Sequence, residues 1–251
     1  MFSQLWQKHN LHTEDLISGK TPFILIPNVI SKSTCASLSE KIFKNYKTIP
    51  GPGMKNKIGT SLGSHIYEKS KYFLNSKKSN TYTQNIFSDS HSPLKSMHQI
   101  ISQTFQKQIS TASENEMSYS ECVIRIHNDR DSVHLHRDNC NFEMPDYTVS
   151  KYKNQLSAIL YLQSPESGGE LTVYDKQWNR YDERSRQPDF GYSFDLVNGV
   201  SYTSISPIVG NLVLLNPNFY HKVESVSGHK PRVSVGFFFG ESSTSKLSCW
   251  T

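Results

Sequence analysis

From residue 118 onward the chain has few ways to fold. It carries eight short runs rich in Val, Ile, Leu, Tyr and Phe, at 120–127, 132–138, 156–163, 169–174, 200–205, 211–216, 219–226 and 232–239. Turn signals separate them: SPESGG at 164–169, Asn198-Gly199, Asn216-Pro217-Asn218 and SGHKP at 227–231. Runs of this length, closed by Gly, Pro and Asn, read as β-strands. With no helical stretch between them, the strands must bury their apolar faces against one another. A mainly β fold is predicted, either a barrel or a two-sheet jelly roll.

The N-terminal third mixes elements. Residues 21–27 (TPFILIP) read as a short strand closed by proline. Ser31 is placed to cap a helix running to Tyr46, with Cys35, Leu38 and Ile42 on one face. Residues 50–91 are rich in Gly, Ser, Asn and Lys, and read as long loops with little regular structure. Ser92-Pro93 opens a second helix, and Leu94, Met97, Ile101, Phe105 and Ile109 follow at helical spacing. At 251 residues one large domain is expected. It divides into an α/β extension with substrate-side loops (1–117), a β core (118–240) and a C-terminal tail (241–251).

Several function classes are disfavoured. The net charge of +5 comes without a dense basic run, so no nucleic-acid partner is expected. No stretch approaches the ~20 apolar residues of a membrane helix, and the first residues show no apolar leader. The four cysteines are scattered without a CxxC, as expected of reduced thiols in the cytoplasm.

His136-Arg137-Asp138 and Asp189-Phe190-Gly191 spell the HRD and DFG of a protein kinase. The kinase loop needs an asparagine five positions after its aspartate, and Glu143 stands there. No GxGxxG precedes it either, and Asp189-Phe190-Gly191 is more simply a turn. On a strand, by contrast, alternate side chains share a face, so His134, His136 and Asp138 point one way. His221 follows the Asn-Pro turn, and Arg232 opens the next strand. A hairpin would set these two on neighbouring strands, both inward. His136, Asp138 and His221 then form a two-histidine, one-carboxylate set of the kind that holds Fe(II) with positions left open. Arg232 supplies a fixed cation for a carboxylate.

With these residues the chain resembles the Fe(II)/2-oxoglutarate-dependent dioxygenases, whose fold is the double-stranded β-helix, a cupin-like jelly roll. VIRIHNDRDSVHLHRDN and SPESGGELTVYDKQWN bring it closest to bacterial natural-product hydroxylases and aliphatic halogenases, especially the cyanobacterial indole-alkaloid type. The resemblance implies that His136, Asp138 and His221 ligate iron and that Arg232 binds the distal carboxylate of 2-oxoglutarate. O2 would be consumed and succinate and CO2 released as a C–H bond of a small molecule is oxidised. The halogenases carry a small residue where Asp138 stands, so hydroxylation is the expected outcome here.

Other residues keep more than one reading. His127 either contacts 2-oxoglutarate, touches substrate or is a core histidine. Ser234 shares the Arg232 face and is a second candidate for holding the co-substrate. His134 either contacts substrate from the metal face or is structural. Arg125 faces inward and needs a partner, an internal salt bridge ahead of a substrate carboxylate. Glu121 and Asn139 are candidates for lining the pocket, and Gly168-Gly169 for a turn. The rival functions are hydroxylation of a protein or peptide, and a non-catalytic jelly-roll module that binds metal or ligand without turnover.

Overall fold

The computed structural model describes residues 13–46, 56–88 and 92–251. All eight expected strands are present, and they form two facing sheets that do not close into a barrel. The larger sheet runs Phe23–Ile26, Leu212–Leu215, Lys153–Gln163, Arg232–Ser243, Lys246–Trp250, Gln108–Thr111. Val123–His127 also pairs with Arg232–Ser243, and carries Lys57–Ile58 on its other edge. The smaller sheet runs Tyr202–Ile205, Leu171–Gln177, Phe219–Val223, Val133–His136.

Strand alternation sorts the side chains into two cores. Leu160, Leu212, Leu214, Ile124, Ile126, Val233 and Val235 face outward from the larger sheet. There they meet Cys35, Leu38 and Ile42 of the helix Lys32–Tyr46 and Leu94, Met97 and Ile101 of the helix Pro93–Phe105. Tyr161, Val213 and Leu215 face inward against Leu171, Val173, Phe219 and Val223 of the smaller sheet. The layers are therefore helices, large sheet, small sheet. Ser31 caps the helix Lys32–Tyr46 as expected, its Oγ accepting from Thr34 N–H at 3.1 Å.

Four expectations need correction. The segment 50–91 is not a long loop: a helix spans Lys69–Ile86, while residues 50–55 and 89–91 lie outside the described residues. Its buried stripe runs Tyr72, Ser76, Ser79, Asn80, Thr83, Ile86, which is helical spacing with mostly polar side chains. Tyr72, Phe73 and Ile86 pack at its two ends, while the polar middle of the stripe is satisfied by hydrogen bonds. Ser76 Oγ donates to Ser118 O at 2.7 Å, Asn80 Nδ2 to Tyr119 O at 2.9 Å, and Asn80 Oδ1 accepts from Glu121 N–H at 2.9 Å.

Ile109 does not continue the helix Pro93–Phe105. Gln106 takes a left-handed conformation (φ 53°) that ends it, and Ile109 lies in the strand Gln108–Thr111 beside Leu247. The expected tail contains the strand Lys246–Trp250, with Trp250 1% exposed. The strands bearing His221 and Arg232 are not a hairpin pair. The chain between them pairs Val226–Ser227 with Ser167–Gly168, so the two strands fall in opposite sheets. No helix of the described residues is long and apolar enough to cross a membrane.

Asn80 ties the Lys69–Ile86 helix to the chain entering Val123–His127. Asn80→Ala orphans one buried carbonyl and one N–H, and is expected to cost about 1–3 kcal/mol in urea unfolding. Thr81→Ala, on the exposed face of the same helix, should stay within about 0.5 kcal/mol. Equal effects of the two would remove the docking role given to Asn80.

Candidate active site

His136 and His221 are cross-strand partners in the smaller sheet, with ring centroids 4.2 Å apart. Beyond His136 the chain is held by Asp138 N–H donating to Pro217 O at 2.9 Å. This sets Asp138 Oδ2 3.5 Å from His221 Nε2 and 3.9 Å from His136 Nε2. One ligand atom from each of the three residues lies within 4.8 Å of the others.

Each imidazole is oriented by its own strand. His136 Nδ1 lies 2.8 Å from His134 O and His221 Nδ1 2.8 Å from Phe219 O. A carbonyl only accepts, so Nδ1 donates and Nε2 is the atom left for a metal. Burial, and then the neighbouring His221, hold His136 down to about 4. Burial pushes Asp138 up, yet contact with His221 and His136 brings it down to about 2. Neutral imidazole and carboxylate are the forms that bind a divalent ion.

Across the interior, Arg232 opens its strand in the larger sheet and is 2% exposed. Its Nη1 donates to His127 Nδ1 at 3.2 Å and to Ser234 Oγ at 3.3 Å. His127 accepts from a guanidinium and must be neutral. Burial, Arg232 and Arg125 hold it down to about 3. The Arg232 guanidinium lies 5.0 Å over the Tyr161 ring. Arg232 Nε and Tyr161 Oη are buried without a hydrogen-bond partner among the described residues. Leaving such atoms bare costs about 1–3 kcal/mol each, and a ligand carboxylate would satisfy them. Both halves of the site therefore fit the groups the sequence implies, a divalent metal and a dicarboxylate.

The family model for the carrier-protein-independent halogenase WelO5 matches residues 3–251. The chain belongs to that family, which is Fe(II)/2-oxoglutarate-dependent.

Two curated proteins are similar in sequence. Leucinostatins biosynthesis cluster protein S of Purpureocillium lilacinum is 31% identical over 119 residues, 46% of this chain and 48% of its own length. The L-gamma-glutamyl-L-propargylglycine hydroxylase of Streptantibioticus cattleyicolor is 28% identical over 122 residues, 48% of this chain and 45% of its own. The match thus covers about half the length of each curated relative. Two solved structures share the fold. An N-substituted L-amino acid dioxygenase of Burkholderia ambifaria superposes with TM-score 0.66 at 11% identity, over 95% of this chain and 89% of that one. HygX of Streptomyces hygroscopicus, solved with nickel and 2-oxoglutarate bound, gives TM-score 0.55 at 13% identity, over 93% and 88%.

In this WelO5-family chain several expected site residues lie elsewhere. A bulge in the pairing of Val133–His136 with Phe219–Val223 breaks strict alternation. Val133 and His136 both join the inner side, and His134 is exposed. Asn139 caps the short helix Cys140–Glu143, accepting from Phe142 N–H at 3.0 Å. The Glu121 carboxylate accepts from Gln84 at 2.8 Å and so holds the Lys69–Ile86 helix. Arg125 has no ion pair or hydrogen bond among the described residues, so the internal salt bridge expected for it is absent.

Other contributors are residues to which the sequence assigned no role in the site. Gly168 and Gly169 both have positive φ, 73° and 72°, and a Cβ at Gly169 would stand 2.9 Å from Arg232 Cδ. The small residue makes room for the buried arginine. The Phe190 ring lies 5.2 Å from His136, at the exposed side of the site. Arg137, between the two predicted ligands, points the other way and is fully buried over Trp178, 4.4 Å from the ring. It pairs with Glu143 and Glu183, each at 3.1 Å. Glu183 also accepts from Trp178 Nε1 at 2.6 Å and Tyr192 Oη at 2.5 Å. This cluster fastens the Phe190 loop to the back of the ligand strand.

Burial raises the Glu183 pKa, but hydrogen bonds from Tyr192, Trp178, Arg186 and Arg137 bring it to about 2, below its ordinary 4.5. A depressed carboxylate stabilises fully above its unfolded pKa and loses that contribution as pH falls toward the folded value. The melting-temperature gap between wild type and Glu183→Gln is therefore expected to be widest near neutrality. It should narrow as pH drops from about 5 to about 3, read by calorimetry. A constant gap over that range would deny the carboxylate its role.

Proposed function

We propose that the protein uses Fe(II), 2-oxoglutarate and O2 to hydroxylate an unactivated C–H bond of an amino acid or amino-acid-derived small molecule, releasing succinate and CO2. It would act as one catalytic domain over 1–251 in the cytoplasm. The observation that carries this reading is the Asp138 carboxylate, set within 4.8 Å of both histidine ligand atoms. Iron and 2-oxoglutarate, when bound, supply an oxidant able to attack such a bond.

In this reading His136, Asp138 and His221 hold the metal. Arg232 takes the distal carboxylate of 2-oxoglutarate, with Ser234 and His127 fixing its guanidinium. The substrate class is supported by the relatives, which include a hydroxylase of a glutamyl amino acid and a dioxygenase of N-substituted amino acids. Asp138 favours hydroxylation over halide transfer, because its carboxylate fills the position a halide would need.

His136→Ala, Asp138→Ala and His221→Ala should each abolish Fe(II)-dependent succinate formation while leaving the circular dichroism spectrum unchanged. Full turnover in the folded His221→Ala protein would sink the metal assignment. Arg232→Ala should raise the apparent KM for 2-oxoglutarate by tens- to hundreds-fold, about 2–4 kcal/mol for a desolvated charged pair. Fe(II) affinity, titrated separately, should barely move. An unaltered requirement for 2-oxoglutarate would show that its carboxylate is held by another residue.

A further inference from the structure

Arg125 is an inward cation that nothing in the described protein neutralises. In the strand Val123–His127 its four neighbours are buried and Arg125 alone keeps an accessible side chain, yet the atoms packed around it are dense enough that burial lowers its pKa. Cross-strand pairing sets it opposite Ser234 on one side and Lys57 on the other. Ser234 is bonded to Arg232, which places Arg125 on the same face as the co-substrate arginine. The Lys57 ammonium meets only hydroxyls in the described structure, Ser61 Oγ at 2.8 Å and Ser64 Oγ at 3.5 Å.

Two like charges in directly opposed strand positions are destabilising. Burial and the field of Arg125 lower the Lys57 pKa to about 7. Among the described residues the acid whose field reaches Arg125 is Asp138, and that carboxylate belongs to the proposed metal site. The distal carboxylate of 2-oxoglutarate is already matched by Arg232, and its other end by the metal. An anion is therefore still missing at Arg125.

Resting on the oxygenase reading above, we infer that Arg125 and Lys57 form a second carboxylate subsite that binds the free carboxylate of the substrate. The substrate is then an acid, such as an amino acid with its α-carboxylate unblocked, held by this end while a C–H bond farther along faces the metal.

The probes are N-acetyl-L-amino acids, each compared with its carboxamide, added anaerobically to the Fe(II)·2-oxoglutarate holoenzyme. Binding is read as a perturbation of its visible absorption band. At least one acid should bind about tenfold or more tighter than its amide, the discrimination a built polar contact gives. Arg125→Gln should erase that preference, Lys57→Gln should weaken it and Arg125→Lys should retain part of it. The 2-oxoglutarate titration midpoint of Arg125→Gln should stay within about twofold of wild type, as expected if Arg232 alone anchors that ligand. Equal binding of acids and amides by the wild type overturns the inference. So does an Arg125→Gln protein that loses 2-oxoglutarate affinity yet still prefers acids, since the arginine would then serve the co-substrate. If wild type with Fe(II) and 2-oxoglutarate shows no absorption band, the oxygenase reading itself fails and takes this inference with it.

Discussion

A guanidinium buried at 2% exposure sets the terms for much of this interior. Taking a charge out of water costs several kcal/mol unless partners replace the solvent, and Arg232 has assembled its partners from three strands and a turn. Ser234 comes from its own strand, His127 from the next, Tyr161 from the strand on the other side. Gly169 contributes by having no side chain. His127 can serve only as a neutral acceptor, which fixes its proton on Nε2. Even so, Arg232 Nε is left bare. The protein alone does not complete this arrangement, and a carboxylate ligand would.

The fold was legible where one face of an element is apolar. Eight strands were readable because Val, Ile, Leu and Phe recur between turn residues, and the helix Pro93–Phe105 because Leu94, Met97 and Ile101 recur at helical spacing. The helix Lys69–Ile86 was not, since between Phe73 and Ile86 its inward stripe is Ser76, Ser79, Asn80 and Thr83. A polar stripe looks like a loop until the carbonyls it serves are in place. His134 leaves the face that strict alternation assigns it for a different reason. A bulge costs one residue of register, and nothing in VHLH marks it. His136, Asp138 and His221 nonetheless come together as expected, their ligand atoms within 4.8 Å of one another. His136 and His221 follow from their strands and Asp138 from the turn at Asn216-Pro217-Asn218, whereas Arg232 reaches the site from the opposite sheet and not through the hairpin expected at SGHKP.

The ligand strand also shows how one short motif serves two faces. His136 and Asp138 turn toward His221, and Arg137 turns back under Trp178, Glu143 and Glu183. Arg137 and Glu183 carry opposite full charges inside a ring of aromatics, where the effective dielectric is low and the pair is strong only because each charge has several partners. That cluster holds the segment bearing Phe190, whose ring then lies against His136. The orientation of the metal-side imidazole is thereby coupled to the packing on the far side of the sheet. A search for metal ligands alone would stop at the three inward residues.

Membership of a halogenase family and a carboxylate at residue 138 pull the expected chemistry in different directions, and the local electrostatics weigh on one side. Asp138 is not a loose side chain that an anion could displace. Its backbone N–H is tied to Pro217 O, its carboxylate sits between two imidazoles, and its pKa is held near 2. A halide entering here would meet a fixed negative charge at the proposed metal position, while Arg125 and Lys57 stand on the opposite sheet. Positive charge is available for carboxylates and not for a ligand in place of Asp138. In the proposed reading the same distribution of charge would keep a halide from the metal and draw an acid to the far wall, so the outcome of the reaction and the choice of substrate would both follow from one arrangement of strands.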